Sequence, residues 1–170
     1  VFLLCWLWLL YVEAGAAWGL ALAQLTTTQA AEVDRAQRVA ARRLLGHART
    51  SPKPSPCMEL GWQPWSSKAA GMRLQLLARL CSSDSALVAG LLRLGRALPT
   101  SWVATAEALP RALLMDSLPV TRLQWQQCVK QWAHASRVAD AEEMLSQCRG
   151  HPALAHYSPP LAVDPEHFAV

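Results

Sequence analysis

The sequence contains no isoleucine, and its valine and threonine residues are scarce beside leucine and alanine. Strands usually show β-branched residues in alternating apolar and polar runs, and no such run occurs. A sheet-based fold is therefore excluded. The apolar residues recur at helical spacing, which predicts an all-α fold: an irregular multi-helix bundle with a proline-rich basic linker and an irregular C-terminal tail.

The sequence also lacks the motifs that mark common catalytic and nucleotide sites. It contains no phosphate-binding loop, dinucleotide fingerprint, HExxH or GxSxG motif, and no paired aspartates of the polymerase type. Acidic residues are few and scattered, apart from Asp140, Glu142 and Glu143, which we interpret as a solvated helix face. Since no nucleophile and base form a recognisable pattern, we expect neither a catalytic residue nor a cofactor.

The cysteines form neither a disulfide framework nor a metal motif. There are five, widely spaced and without a CxxC pair: Cys5, Cys57, Cys81, Cys128 and Cys148. A zinc set can be assembled from Cys128, His134, Cys148 and His151, but its spacings match no standard site, so no metal is predicted. Free thiols indicate a reducing, intracellular compartment, either the nucleus or the cytoplasm.

Charged residues make up only 16% of the chain, against about 25% in typical soluble domains, and they are unevenly distributed. Residues 35–96 hold eleven lysines and arginines but two acidic residues. Guanidinium groups match the geometry of phosphate oxygens, so this region is the candidate to bind a polyanion. The alternative is a solvated basic surface. The candidate nucleic-acid-binding residues are Arg35, Arg38, Arg42, Arg43, Arg49 and Lys53.

Three regions follow from the distribution of apolar residues and prolines. Residues 1–25 are predicted to form a hydrophobic helix, and we favour a core helix over a membrane segment. Glu13 interrupts the apolar run, and no Lys or Arg flanks it to orient a membrane span. Residues 26–150 are the helical basic domain, and residues 151–170 are an irregular, proline-rich tail.

Helix ends are well marked in the first part of the basic domain. The run Thr26–Thr28 begins a helix that Gly46 ends. Alternating prolines then predict an extended linker over 47–56, and a tryptophan-containing turn follows over 59–65. The apolar stripe of the helix consists of Val33, Ala36, Ala40 and Leu44.

Four further helices are predicted, over 68–80, 85–97, 101–109 and 121–148. Ser66 and Ser67 are expected to cap the first of them. Pro110 is expected to open a turn after the third, and the fourth is expected to be long, with a break near Ser136 as an alternative. The second helix carries four leucines in register on one face: Leu87, Leu91, Leu94 and Leu98.

The tryptophans have two alternative uses, burial in a core or stacking on nucleobases. Trp125 and Trp132 lie seven residues apart, on the same helix face as Cys128, which is typical of a core stripe. Trp62 and Trp65 flank a turn, where such rings usually pin a loop to a core. We therefore predict burial for all four rings.

Three segments occur in a distinctive order: LLYVEAGAAWGL at 9–20, VDRAQRVAARRLLGHARTSP at 33–52 and MELGWQPW at 58–65. Together they resemble the region that follows the catalytic palm in non-LTR (LINE-type) retrotransposon reverse transcriptases. In that family a Tyr-Gly-x-Glu-x-Trp-like motif precedes an arginine-rich helix, an ELGWxP turn and leucine-rich helices. Here the Gly and Glu are displaced in YVEAGAAW, and Trp65 replaces an aliphatic residue.

The resemblance covers about residues 8–135 and implies a thumb or connector region that grips a template–primer duplex through its backbone phosphates. The polymerase carboxylates of the family lie upstream, in the palm, and are not in this chain. The resemblance therefore implies a fragment without activity of its own, with a polymerase domain as a second partner. A helical membrane-associated or scaffold protein, with residues 1–23 as its anchor, is the alternative hypothesis.

Overall fold

The structure, a computed structural model, describes residues 3, 7–47, 55–111 and 118–150. Within these ranges it contains no strand, so the all-α prediction is confirmed. A short π-helical segment, Trp8–Glu13, precedes seven α-helices in the described residues. These are α1 (Ala14–Leu22), α2 (Thr27–Leu45), α3 (Ser55–Glu59), α4 (Trp65–Cys81), α5 (Ala86–Ala97), α6 (Trp102–Arg111) and α7 (Arg122–Arg149).

The predicted ends of the arginine-rich helix α2 are confirmed. The Thr26 hydroxyl accepts a hydrogen bond from the backbone N–H of Gln29, and the N–H of Thr26 donates to Gln29 Oε1 at 2.9 Å. Gly46 ends the helix at φ +68°, a left-handed conformation that glycine adopts without strain. A second capping box of the same kind, between Thr121 and Gln124, starts α7.

Several other boundaries differ from the predictions. Pro56, expected in an extended linker, lies in the first turn of α3, where the missing N–H of proline costs no helical hydrogen bond. Pro110, expected to open a turn, lies inside the last turn of α6. α7 continues past Ser136 without a break. Linker residues 48–54 and the predicted tail 151–170 lie outside the described residues.

Two hydrophobic clusters form the core, and α7 belongs to both. The first cluster joins α4, α5 and α6 to the N-terminal half of α7, through Leu74, Leu77, Leu92, Val103, Ala106, Trp125 and Cys128. The second joins α2 and α3 to the C-terminal half of α7, through Ala41, Cys57, Met58, Trp62, Met144 and Cys148. Because α7 has 28 residues and is ~42 Å long, one helix sets the distance between the two clusters.

Of the four rings predicted to be buried, Trp62 and Trp125 are buried, whereas Trp65 and Trp132 are half-buried. Trp125 is buried in the first cluster, and Trp132 packs at its edge. The ring of Trp8 stacks on both Trp62 and Trp65, with centroids 5.8 Å apart in each pair and interplanar angles of 15° and 8°. These three rings therefore join the N-terminal segment to the turn before α4.

The C-terminal end of α1 is fixed by side chains from two other helices. Arg73 of α4 donates to the carbonyl oxygens of Ala21 and Ala23, at 3.3 and 2.6 Å. The indole N–H of Trp102 in α6 donates to the Ala21 carbonyl at 3.0 Å. These bonds satisfy carbonyl groups that the end of a helix leaves without partners.

The structure packs only part of the hydrophobic N-terminal segment into the core. Ala21 is buried, whereas Leu3, Tyr11 and Leu22 are exposed. None of the helices in the described ranges combines the length and the apolar character that crossing a bilayer requires.

α5 exposes a row of leucines to solvent, formed by Leu87, Leu91, Leu94 and the C-cap residue Leu98, and packs an adjacent face into the core. Leu92 is buried in the first cluster, and Val88 packs against that cluster. Gly95 lies against α6, since a Cβ added there would be 2.5 Å from Cγ2 of Val103. On the same side, Arg96 donates to the buried carboxylate of Glu107 at 2.6 Å. The row, Leu87, Leu91, Leu94 and Leu98, consequently lies outside the core.

Gly90→Ala and Gly95→Ala form a matched test of this packing, because each adds one methyl group inside α5. At Gly90 the new Cβ meets no described atom within 4 Å, so helix propensity should raise the free energy of unfolding by about 0.5–1 kcal/mol. At Gly95 the methyl group displaces Val103, so the free energy of unfolding should fall by about 1–3 kcal/mol. Urea denaturation measures both changes, and equal effects would contradict the close contact of α5 with α6.

Candidate nucleic-acid interface

The position of α2 is set by hydrogen bonds to the turn that begins α4. Gln37, buried on the inner face of α2, donates through Nε2 to the carbonyl oxygen of Gln63 at 2.9 Å. Its Oε1 accepts from the backbone N–H of Trp65 at 3.1 Å. One glutamine side chain thus satisfies both a carbonyl and an amide of the turn.

Asp34, one turn earlier in α2, caps α4 from outside that helix. Its carboxylate accepts from the backbone N–H of Ser66 at 2.9 Å and from the Ser66 hydroxyl at 2.5 Å. The predicted capping role of Ser66 and Ser67 is therefore wrong. The N-cap residue of α4 is Pro64, which offers no side-chain acceptor, so the acceptors come from α2.

Asp140 of α7 binds the same turn from the opposite side. Its carboxylate accepts from Gln63 Nε2 at 2.7 Å, from the Ser67 hydroxyl at 2.8 Å and from the Ser136 hydroxyl at 3.4 Å. Burial raises the pKa of Asp140, and these hydrogen bonds oppose that rise only in part. The interpretation as a solvated face is wrong for Asp140, although Glu142 and Glu143 are exposed.

We call Asp34, Gln37, Asp140 and the turn 63–67 the polar clamp. It selects the face of α2 that packs inward. The residues of α2 that are buried are Gln37 and Ala41, whereas Ala36, which we predicted for the apolar stripe, is exposed. The stripe prediction is therefore wrong for Ala36, whereas Val33, Ala40 and Leu44 are half-buried and Leu44 packs against the second core cluster.

The clamp divides the predicted arginine cluster between two sides of α2. Arg38 faces α7 and borders a cavity of about 210 Å³ that is also lined by the carboxylates of Asp34, Asp140 and Glu143. Arg38 also lowers the pKa of Cys57, but burial dominates and raises that pKa to about 11. Since three carboxylates share the cavity, it repels a phosphate group, and Arg38 is poorly placed to bind one.

The other described arginines of the cluster line one surface, which we call the arginine groove. The groove has a volume of about 670 Å³ and is lined by Arg35, Val39, Arg42, Arg43, Gly46 and His47. A neighbouring hollow of about 470 Å³ shares Arg35, Val39 and Arg43 and extends to Trp8. Arg35 and Arg43 are exposed, two turns and ~12 Å apart along the helix. Arg49 and Lys53 lie outside the described residues.

His47, which lines the arginine groove just after the end of α2, contacts Glu59 at the end of α3. His47 Nε2 lies 3.1 Å from Glu59 Oε2. This contact ties the residue after the helix stop to α3, and it occupies the carboxylate of Glu59. The lining of the main groove contains three arginines and no acidic residue, whereas Glu32 lines the neighbouring hollow beside Arg35 and Arg43.

A second basic surface was not predicted from the sequence. It is a cleft of about 590 Å³ between α4 and α7, with Trp125 and Val129 in its lining. We call it the α4–α7 cleft; its polar residues are Gln75, Arg79, Ser82, Arg122, Gln126 and Lys130. Arg122, Gln126 and Lys130 recur every four residues, a pattern that indicates one helix face, but the sequence does not show that this face meets Arg79 of α4.

The cysteines do not form a reactive or metal-binding centre in the described part of the chain. Burial raises the pKa of each described cysteine, so these thiols are protonated at neutral pH. Cys128 and Cys148 belong to different core clusters and are ~30 Å apart along α7, so they cannot bind one ion. No group of three or more His, Cys, Asp or Glu residues suited to a metal occurs among the described residues.

Comparisons with known proteins add no relative to this geometry. No protein-family model matches the chain, and no curated protein and no solved structure is significantly similar to it. The resemblance to reverse transcriptases of the LINE type therefore stays a prediction, based on the three sequence segments given above.

Because the pKa of Asp140 is raised, the pH dependence of stability tests the polar clamp. The folded state holds the Asp140 proton more tightly than the unfolded state, whose ordinary pKa is 3.8. The contribution of Asp140 to stability is therefore complete below that value and is lost as the pH rises through the raised pKa of the folded state. Asp140→Asn removes the titration, so the free energy of unfolding of the wild type minus that of the variant should decrease as the pH rises from the ordinary pKa of 3.8 through the raised pKa of the folded state.

Urea denaturation across this pH range measures the difference. Altered hydrogen bonding of the asparagine shifts the difference by an amount that does not depend on pH, so the slope carries the test. Asp84→Asn, at an exposed site in the connection before α5, is the control for the loss of an aspartate outside the clamp. A flat or rising difference for Asp140→Asn would show that Asp140 is not buried by the clamp.

Proposed function

We propose that this chain is a non-catalytic, nucleic-acid-binding part of a reverse transcriptase-like protein of the LINE type. In this proposal it grips a template–primer duplex through the phosphate backbone, in the nucleus or the cytoplasm. The observation that carries the proposal is the arginine groove, in which Arg35, Arg42 and Arg43 of α2 line one surface. The order of the arginine helix, the RTSP linker and the ELGW turn supports the retroelement origin.

The chemistry of the groove suits the binding of phosphate groups. Guanidinium groups donate paired hydrogen bonds to phosphate oxygens, and arginine keeps its charge at every physiological pH. Val39 lies between Arg35 and Arg43 on the same face of α2 and gives the arginine stems an apolar surface to lie along. Backbone contacts of this kind carry no sequence information, so the binding should be strong at low salt and indifferent to sequence.

The α4–α7 cleft is a second positive surface that the same duplex could use. Arg79, Arg122 and Lys130 are all exposed, and the cleft is lined without an acidic residue. The exposed apolar residues of the N-terminal segment, Leu3, Leu7 and Tyr11, would in this proposal face the polymerase domain that the resemblance implies.

Fluorescence anisotropy with a labelled RNA–DNA primer–template duplex, titrated over a range of salt concentrations, tests the proposal. Arg35→Ala/Arg43→Ala removes two exposed cations from the arginine groove. If both contact phosphates, the slope of log affinity against log salt concentration should become shallower by about two. Duplexes of different sequence should be affected equally.

Arg93→Ala/Arg111→Ala is the matched control, because it removes two exposed arginines from α5 and α6, outside both basic surfaces. The control should leave the salt slope unchanged. A third variant, Arg79→Ala/Lys130→Ala, addresses the α4–α7 cleft. A slope that falls with the third variant but not with the first would move the binding site from α2 to the cleft. Binding that is absent, or independent of salt, would contradict the proposal as a whole.

A further inference from the structure

The α4–α7 cleft lies between two helices that run in opposite directions. Ser67, near the start of α4, bonds to Asp140, which lies late in α7. Gly71, further along α4, meets the ring of Trp132, which lies earlier in α7. A Cβ added to Gly71 would be 3.0 Å from that ring, so the two helices are in direct contact. The space of about 590 Å³ is therefore built between two rigid elements that pack on each other.

Cations reach the cleft from both of its walls. Arg79 belongs to α4, whereas Arg122 and Lys130 belong to α7 and are ~12 Å apart along that helix. All three side chains are exposed, and none forms an ion pair or a side-chain hydrogen bond within the described residues. The lining contains no acidic residue, and the exposed Asp84, two positions after Ser82, lies outside it. The cleft therefore offers three cations to an anion that enters it.

The more buried part of the lining is apolar, and the exposed part includes two amide groups. Trp125 is buried, and Ala78 and Val129 are half-buried; these three residues form the apolar floor. Gln75 and Gln126 are exposed and belong to opposite helices, and each side chain has both donors and an acceptor for hydrogen bonds. A matching occupant has anions for the cations, apolar faces for the floor and polar edges for the amides. Nucleotides with unpaired bases have all three.

The width of the cleft distinguishes an unpaired strand from a duplex. Helices in direct contact have axes about 8–10 Å apart. A DNA double helix is wider than this, since its major groove alone measures about 12 Å. A duplex therefore reaches only the exposed rim of the cleft, whereas a single strand can place its bases on the apolar floor. The arginine groove has no amide side chain in its lining and suits the phosphates of a duplex.

We propose that the α4–α7 cleft binds single-stranded nucleic acid. Its phosphates contact Arg79, Arg122 and Lys130, and its bases lie against the apolar floor. The inference rests on the proposed function for its choice of nucleic acid, because it assigns the unpaired part of the same substrate to a second site. Contacts of this kind tolerate any base, since every base has an apolar face.

Fluorescence anisotropy of the full chain with two labelled probes, an oligodeoxythymidine strand and a blunt RNA–DNA duplex, tests the inference. Gln126→Glu places a carboxylate among the three cations of the cleft, so it should weaken binding of the single strand about three- to tenfold. Binding of the blunt duplex should be unchanged. An abasic strand of the same length keeps the phosphates but lacks the bases, so it should bind the wild type more weakly. Equal binding of the abasic strand would overturn the assignment of bases to the floor.

Gln127→Glu is the matched control, because it adds the same charge to the next residue of α7, which is exposed and outside the lining. At about 0.15 M salt, where distant charges are screened, it should bind the single strand as the wild type does. Equal weakening by both variants would overturn the inference, as would a wild type that does not bind the strand.

Two further outcomes would assign the cleft to another ligand and overturn the inference. The first is polyglutamate that competes as well as unlabelled oligodeoxythymidine, which would indicate an acidic polypeptide. The second is an equal loss of duplex binding in Gln126→Glu, which would make the cleft a duplex site. A wild type that binds the single strand but not the duplex would instead contradict the proposed function, so the two failures are distinguishable.

Discussion

The arrangement of the helices depends on how the first turn of α4 obtains hydrogen-bond acceptors. Pro64 occupies the N-cap position and has no side chain that accepts a hydrogen bond. The N–H groups of Trp65 and Ser66 are satisfied by Gln37 and Asp34, which belong to α2. An amide left without a partner in this half-buried turn would cost about 1–3 kcal/mol, so α4 is stable at its start only while α2 lies against it. The carboxylates of Asp34 and Asp140 also lie at the positive end of the α4 dipole.

This dependence explains how an alanine-rich helix with few large apolar residues is held in place. α2 buries Gln37 and Ala41, and alanine provides little apolar surface. Directional bonds replace part of the missing hydrophobic contact, and they fix the rotation of the helix more tightly than apolar packing of alanines would. The rotation in turn leaves Arg35, Arg42 and Arg43 on the groove side and turns Arg38 toward Asp140. The charge pattern of the surface is thus a consequence of the clamp.

The features that could be predicted from the sequence are those that depend on neighbours within one turn of helix. The start of α2 at Thr26, its stop at Gly46 and the start of α7 at Thr121 each depend on residues at most three or four positions away. The partners of Ser66 and Ser67 lie 32 and 73 residues away, and no local pattern indicates them. The sequence pattern singles out the leucine row as the apolar face of α5, whereas in the structure that row is exposed and Val88 and Leu92 pack into the core instead. The contact of Gly95 with Val103 decides between the two faces, and it exists only in the folded chain.

The candidate site shows the same division between local and distant information. The spacing of the arginines in α2 indicates a basic helix. The separation of Arg38 from Arg35 and Arg43, however, depends on α7, because Asp140 and Glu143 of α7 line the same cavity as Arg38. The α4–α7 cleft likewise needs two helices that are far apart in the sequence. α7 takes part in both arrangements: its N-terminal half carries Arg122 and Lys130, and its C-terminal half holds α2 through Asp140 and the second core cluster. Because one continuous helix joins the two halves, the spacing between the cleft and the arginine groove is fixed by the fold, and any long polyanion that contacts both surfaces must match it.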